Sequence, residues 1–196
     1  MDTYTRLACM GLCAALVAAF SPAALADDVE DQVKEAMQAY KDKDYAMAAQ
    51  GLEMAAQLVR QKRGEGLTKF LPEPLKGWRA EKAETQAAGV MLFGGGTSAS
   101  RSYRKGGASI TVQFVTDSPI LQTYLMMLGS PMMASASGAK LERLKGQRAI
   151  VNAEDLSIHI VVGGVMLVSV DGDDCELDDL RAYAAVIDYD ALAKSL

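Results

Sequence analysis

Between residues 29 and 40 the apolar positions fall at Val29, Val33, Ala36, Met37 and Tyr40, a spacing that gathers them on one face of a helix. The polar run Lys41-Asp42-Lys43-Asp44 interrupts the pattern. A second helical pattern follows in Tyr45, Ala48, Ala49, Leu52, Ala55, Ala56, Leu58 and Val59, and it is expected to run on to about Phe70. Small alanines on the inner faces let two helix backbones come close, so 27–70 reads as a helical hairpin. The stretch 71–77, Leu71-Pro72-Glu73-Pro74-Leu75-Lys76-Gly77, cannot continue a helix, because proline lacks the amide donor and its ring clashes with the preceding turn. It is read as a proline-containing linker and a domain boundary.

Beyond the linker the period shortens to two. Segments 78–86 and 98–104 read as strands on either side of Gly94-Gly95-Gly96, and Ser109 to Phe114 alternates strictly. Ser118-Pro119 predicts a helix start with proline at the first helical position. Ile120, Leu121, Tyr124, Leu125 and Leu128 give that helix one apolar face, Gly129 ends it, and Ser130-Pro131 opens a further short turn. Strands are expected at 140–145, 147–153 and 156–162, with Gly163-Gly164 as a two-residue hairpin turn into a last strand ending at Val170. Asp173 and Glu176 resemble a capping box ahead of a C-terminal helix that buries Leu177, Leu180, Ala184 and Ile187. Strands joined by hairpins imply an antiparallel sheet. The expected fold is therefore α+β: an N-terminal helical hairpin followed by an antiparallel sheet, over 78–196, packed with two helices.

Ala36, Tyr40, Asp44-Tyr45, Ala48, Leu52 and Ala55 follow a small-and-aromatic order. In this the hairpin resembles a single tetratricopeptide repeat. No second copy follows at the repeat's period of about 34 residues, so the resemblance implies a lone hairpin that must pack on something else. The C-terminal part is similar in architecture to the compact α/β/α modules of the Mog1/PsbP type. Neither resemblance carries a site onto particular residues.

The N-terminus changes the picture of where the protein works. Arg6 precedes an apolar run from Leu7 to Phe20, then come Ser21-Pro22 and the small-x-small site Ala24-Leu25-Ala26 before Asp27. This is the layout of a signal peptide over residues 1–26, cleaved after Ala26 for export to the periplasm. The apolar run is shorter than the roughly 20 residues a membrane span needs. Cys9 and Cys13 lie inside it without a lipobox, and they would leave with it. That leaves Cys175 as a single thiol, with no intramolecular disulfide and burial as the expected fate. The net charge of −5, with no basic patch, argues against a nucleic-acid partner.

Candidate chemistry is sparse. The single histidine, His159, sits on a strand whose alternation turns it, with Ser157 and Val161, away from Ile158 and Ile160. No metal-ligating partner accompanies it in sequence, and no serine lies in a nucleophile elbow. Gly94-Gly95-Gly96-Thr97-Ser98 lacks the lysine and spacing of a phosphate loop and reads as a hairpin loop. Asp171-Gly172-Asp173-Asp174-Cys175-Glu176 lacks calcium-loop order and reads as a strand-to-helix turn. Met126, Met127, Met132 and Met133 form a thioether cluster that suits either packing or Cu(I). Tyr40, Tyr45, Phe70, Trp78 and Tyr103 are candidates for a ligand or partner groove where the hairpin meets the sheet.

These features favour a non-enzymatic periplasmic binding or accessory protein without a cofactor, with no membrane-spanning segment in the mature chain. Its expected partner is another envelope protein or a small apolar ligand. Two alternatives carry different chemistry: a copper-handling protein using the four methionines, and a hydrolase using His159.

Overall fold

The strand whose alternation runs from Ser109 to Phe114 extends two residues further, to Thr116, and lies inside the sheet. The computed structural model describes residues 24–87 and 96–195. The leader up to residue 23 and Gly94-Gly95 of the glycine run lie outside the described residues. In chain order the elements are α1 (Ala24–Lys41), α2 (Tyr45–Leu67), a short 3-10 turn (Thr68–Phe70), β1 (Arg79–Ala80), β2 (Glu84–Ala87), β3 (Thr97–Lys105) and β4 (Ala108–Thr116). Then follow α3 (Ile120–Gly129), α4 (Pro131–Ala136), β5 (Lys140–Leu144), β6 (Gln147–Asn152), β7 (Ser157–Val162), β8 (Met166–Asp173), α5 (Leu177–Val186) and α6 (Tyr189–Lys194). The architecture is α+β, with the two N-terminal helices ahead of an antiparallel sheet.

All strand pairs are antiparallel, in the order β1-β3-β4-β8-β7-β6-β5, with β2 also pairing along β3. The segment read as one strand, 78–86, is two short strands, which lie end to end on the same edge of β3. After β4 the chain crosses the sheet through α3 and α4, starts β5 at the far edge, and returns by a meander until β8 closes against β4. The turn after β7 spans three residues rather than two, since Val162 pairs with Met166, while Gly163 and Gly164 supply φ of 60° and 74°.

The pleat divides the side chains. One face carries Ile110, Val112 and Phe114 of β4, Val168 and Val170 of β8, and Ile158 and Ile160 of β7, all fully buried against Leu180, Tyr183 and Ala184 of α5 and Leu192 of α6. The second face carries two smaller clusters under α3, one around Val115, Leu121 and Leu167 and the other around Leu128, Ala139 and Ile150. Besides the end of α2, four helices therefore pack on the sheet, where two were expected; the additional α4 and α6 have six residues each, too few for a helical period to show in sequence. Strand β8 outruns Val170 to Asp173 because Asp171, Gly172 and Asp173 pair with Thr111, Ile110 and Ser109. The last long helix consequently starts three residues later than expected, with its capping box on Glu176 and Asp179.

Helices α1 and α2 form the hairpin. Lys43 turns with φ of 63°, and the Asp44 carboxylate caps α2 by accepting the Met47 amide at 3.0 Å. Ala36, Ala39, Ala48, Gly51 and Ala55 are buried between the helices. A Cβ on Gly51 would lie 2.8 Å from that of Ala36, so only glycine admits this approach. At its C-terminal end α2 reaches the sheet: Gly64 sits over Thr97, Leu67 joins the main core, and Arg63 pairs with Asp117 at 2.7 Å.

The proline segment is packed rather than free. Leu71 and Trp78 are buried in the main core. The Tyr103 hydroxyl donates to the Pro72 carbonyl at 2.6 Å, and the Tyr183 hydroxyl accepts the Leu75 amide at 3.3 Å. Two predictions follow from this packing. Tyr103→Phe removes the shorter of the two hydrogen bonds to the Pro72 carbonyl, leaving only the one from Arg101 at 3.4 Å, and lowers the unfolding free energy by about 1 kcal/mol in urea titrations. Gly51→Leu forces α1 from α2 at a cost of about 1–3 kcal/mol, read as lost helical circular dichroism at lower denaturant.

Candidate functional site

The five aromatic residues expected to share a groove go to two different places. Trp78 and Tyr103 are core residues, both in ring contact with Tyr183, at centroid distances of 5.6 and 4.4 Å. Phe70 packs partly buried against the same core. Tyr40 and Tyr45 meet edge to face at 5.7 Å near the hairpin turn and are exposed. No single groove joins them, because the aromatic rings of the junction are consumed in fastening the proline segment to the sheet.

What the sequence did not reveal is how much of the hairpin stays uncovered. Helix α1 packs chiefly on α2. Large apolar side chains that helical spacing placed inside, Met37, Tyr40 and Leu52 among them, are exposed, because alanine and glycine already fill the seam between the helices. At 3.6 residues per turn these outer residues divide into two sides. Val33, Met37 and Tyr40 share one side with Tyr45, Leu52 and Val59. Met47 and Met54 face the opposite side, where with Gln32, Glu35, Ala36, Gln50 and Gly51 they line a groove of about 220 Å³.

The four methionines read as a thioether cluster divide between inward and outward positions. Met127 turns inward against Leu128, Ala139 and Ile150, whereas Met126, Met132 and Met133 point outward, with Met132 82% exposed. Adjacent helical positions diverge by about 100°, which separates these thioethers. Among the described residues no three His, Cys, Asp or Glu side chains gather as a metal site. Cys175 is a free, half-buried thiol, and burial, with Asp179 nearby, raises its pKa.

His159 does acquire company. It lies on the second face of the sheet, as its alternation predicted, opposite Ser169 of β8. The Ser169 hydroxyl is 3.1 Å from His159 Nδ1 and donates to the Asp171 carboxylate at 2.6 Å. Since the hydroxyl proton goes to Asp171, Nδ1 must carry its own proton and donate to Ser169. The Tyr124 ring of α3 stacks on the imidazole with centroids 4.5 Å apart. The three residue types are those of a hydrolytic triad, but their order is wrong for one. Serine sits between histidine and aspartate, its proton faces away from the base, and its side chain is fully buried. The chain of hydrogen bonds instead satisfies three polar groups beneath α3.

Burial depresses the His159 pKa below its usual value near 6.5, and the Asp171 charge opposes that shift. A base with a lowered folded pKa is protonated more readily in the unfolded chain. Stability from neutral His159 is therefore complete above about pH 6.5 and is lost as the pH falls from there toward the depressed value. Because this is the sole histidine, unfolding free energies at about pH 7.5 and about pH 5.5 will differ in that sense in the parent protein. His159→Gln will flatten the difference.

No family model matches the sequence, and no curated protein and no solved structure is significantly similar to it.

Proposed function

We propose that this chain is a non-enzymatic, exported binding or accessory protein of the bacterial envelope that works through contacts made by its helical hairpin. The observation that carries the reading is the hairpin's unburied apolar surface. Seven large hydrophobic residues between Met37 and Val59 are exposed, on two helices anchored to the sheet through the far end of α2. A soluble domain rarely leaves so many apolar residues together unless something covers them. Methionine and tyrosine suit such a surface, the first because its thioether adapts to irregular partners, the second because it brings area with little entropy to lose.

The leader-like segment 1–26 supports export, and the acidic balance of the chain fits a protein partner better than a nucleic acid. A catalytic role for His159 is the weaker alternative, since the hydroxyl bound to it is unreachable.

Photo-crosslinking amino acids placed at Tyr45, Leu52 and Met54 test the proposal in living cells. The expected result is a discrete adduct with an envelope protein from hairpin positions and none from the exposed Lys140 on β5. Absence of adducts from all three positions, or the same adducts from Lys140, would overturn it.

A further inference from the structure

The groove on the methionine side of the hairpin has the shape of a helix-packing hole. Met47, Gln50, Gly51 and Met54 stand at i, i+3, i+4 and i+7 along α2, the four positions that surround one inserted side chain when helices interdigitate. Gly51 and Ala36 keep its floor low, and their close approach leaves no side chain to fill it. Met47 and Met54 form the walls and are 56% and 50% exposed, so the hole is open to solvent. Across it α1 contributes Gln32 and Glu35.

The charged residue lining the groove is acidic, Glu35. By helical spacing Asp28, Asp31 and Glu35 fall on the groove side of α1. Lys34, the one basic residue between Asp28 and Tyr40, is engaged with Glu30 and Asp31 at 3.7 and 3.3 Å. On α2 the corresponding edge carries the amides of Gln50, Gln57 and Gln61, and Gln61 donates to Glu65 at 3.2 Å. An apolar hole with thioether walls, an acidic rim on one side and amides on the other selects for a particular complement.

Building on the hairpin reading above, we infer that the groove between α1 and α2 takes one cationic amphipathic helix of a partner protein, packed as a third helix on the hairpin. One aliphatic side chain of that helix seats over Gly51 between Met47 and Met54. Apolar residues one or two turns away lie along the same seam. Lysine or arginine on its flank reaches Glu35 and Asp31. Such a segment is recognised by amphipathic pattern and charge rather than by a fixed sequence, which is the use to which flexible methionine walls are suited.

The probe is a fluorescein-labelled leucine/lysine peptide of about 18 residues with leucine at helical spacing. Its controls are a leucine/glutamate peptide of the same pattern and a composition-matched leucine/lysine scramble without a helical face. Anisotropy titrations with the purified protein are expected to give binding at least about tenfold tighter for the first peptide than for either control. Met47→Ser/Met54→Ser should weaken it by about tenfold or more, and the exposed Glu35→Lys by several-fold, while Met126→Ser/Met132→Ser, at exposed methionines of α3 and α4 outside the hairpin, leaves it unchanged. Unaltered thermal melts confirm that the variants fold. Equal binding of the scramble, or indifference to both groove variants, overturns the groove assignment. So does a dimer of the protein that dissociates on Met47→Ser/Met54→Ser, since a second copy would then be the occupant. If peptide binding fails while adducts from Tyr45 and Leu52 persist in cells, the groove is wrong and the hairpin reading stands; loss of both removes the hairpin reading as well.

Discussion

Between the end of α2 and the first strand the chain crosses the sheet domain on a segment with two prolines. That segment has neither a helix nor a ladder to satisfy its backbone, and burying Leu71 and Trp78 on either side of it brings its polar groups out of water. The solution is a pair of tyrosines from different elements. Tyr103 of β3 donates to the carbonyl of Pro72, and Tyr183 of α5 accepts the amide of Leu75. Their rings stack at 4.4 Å, and Trp78 meets Tyr183 nearly perpendicular, at 88°. Each aromatic thus does two jobs, filling the core with its ring and closing a backbone valence with its hydroxyl. The direction in which α2 leaves the sheet is set here, because Leu67 and Leu71 belong to the same core as the clamp.

The two faces of the sheet solve different problems. The clamped face is apolar from Ile110 to Phe114 of β4 and along β7 and β8, and its helices bury these side chains. The second face interleaves hydroxyls and an imidazole with apolar residues, so it can be covered only where those groups find one another. Register accomplishes this: His159 pairs with Ser169, and Asp171 follows two residues along the same strand and on the same side. Desolvation of an unpartnered hydroxyl or imidazole would cost about 1–3 kcal/mol each. The closed sequence of donors offsets that cost and lets Tyr124 pack over the ring.

How much of this was legible in the sequence follows from the range of each cause. Helices α1, α2 and α3 and strands β4 to β7 declare themselves through local period, and the structure places them within a few residues of expectation. The displaced features depend on distant partners. Asp171 to Asp173 look like a turn until β4 is set beside them, and Tyr189 to Lys194 carry too little pattern to announce a helix. The side on which His159 lies was legible from alternation, but its bond to Ser169 was not, because the two-residue turn expected at Gly163-Gly164 would set His159 opposite Val168, and the three-residue loop shifts the register by one residue. The aromatic residues misled for a physical reason. Tyrosine and tryptophan near a linker fit either a binding cleft or a clamp, and only the unsatisfied proline backbone decides for the clamp.

The seam of the hairpin has an energetic consequence that joins its stability to its surface. Ala36, Ala39, Ala48, Gly51 and Ala55 permit close packing, but each removes little apolar area from water. A large aliphatic side chain would contribute about 1.5–3 kcal/mol by burial, and here the large side chains lie outside the seam. In proteins most helical stability comes from the packing of an apolar face rather than from propensity. The part of the hairpin beyond the sheet therefore sits low in the hierarchy of local stabilities, and its turn end opens more readily than the strands. A helix seated between Met47 and Met54 would supply the missing burial. At about one hundred times its dissociation constant such a ligand stabilises the bound state by about 2.7 kcal/mol, a large increment for a two-helix unit. The small residues that make the seam tight are thus also what leaves the outer methionines and tyrosines exposed, so that with a helix docked as proposed, recognition and ordering of the hairpin would become one equilibrium.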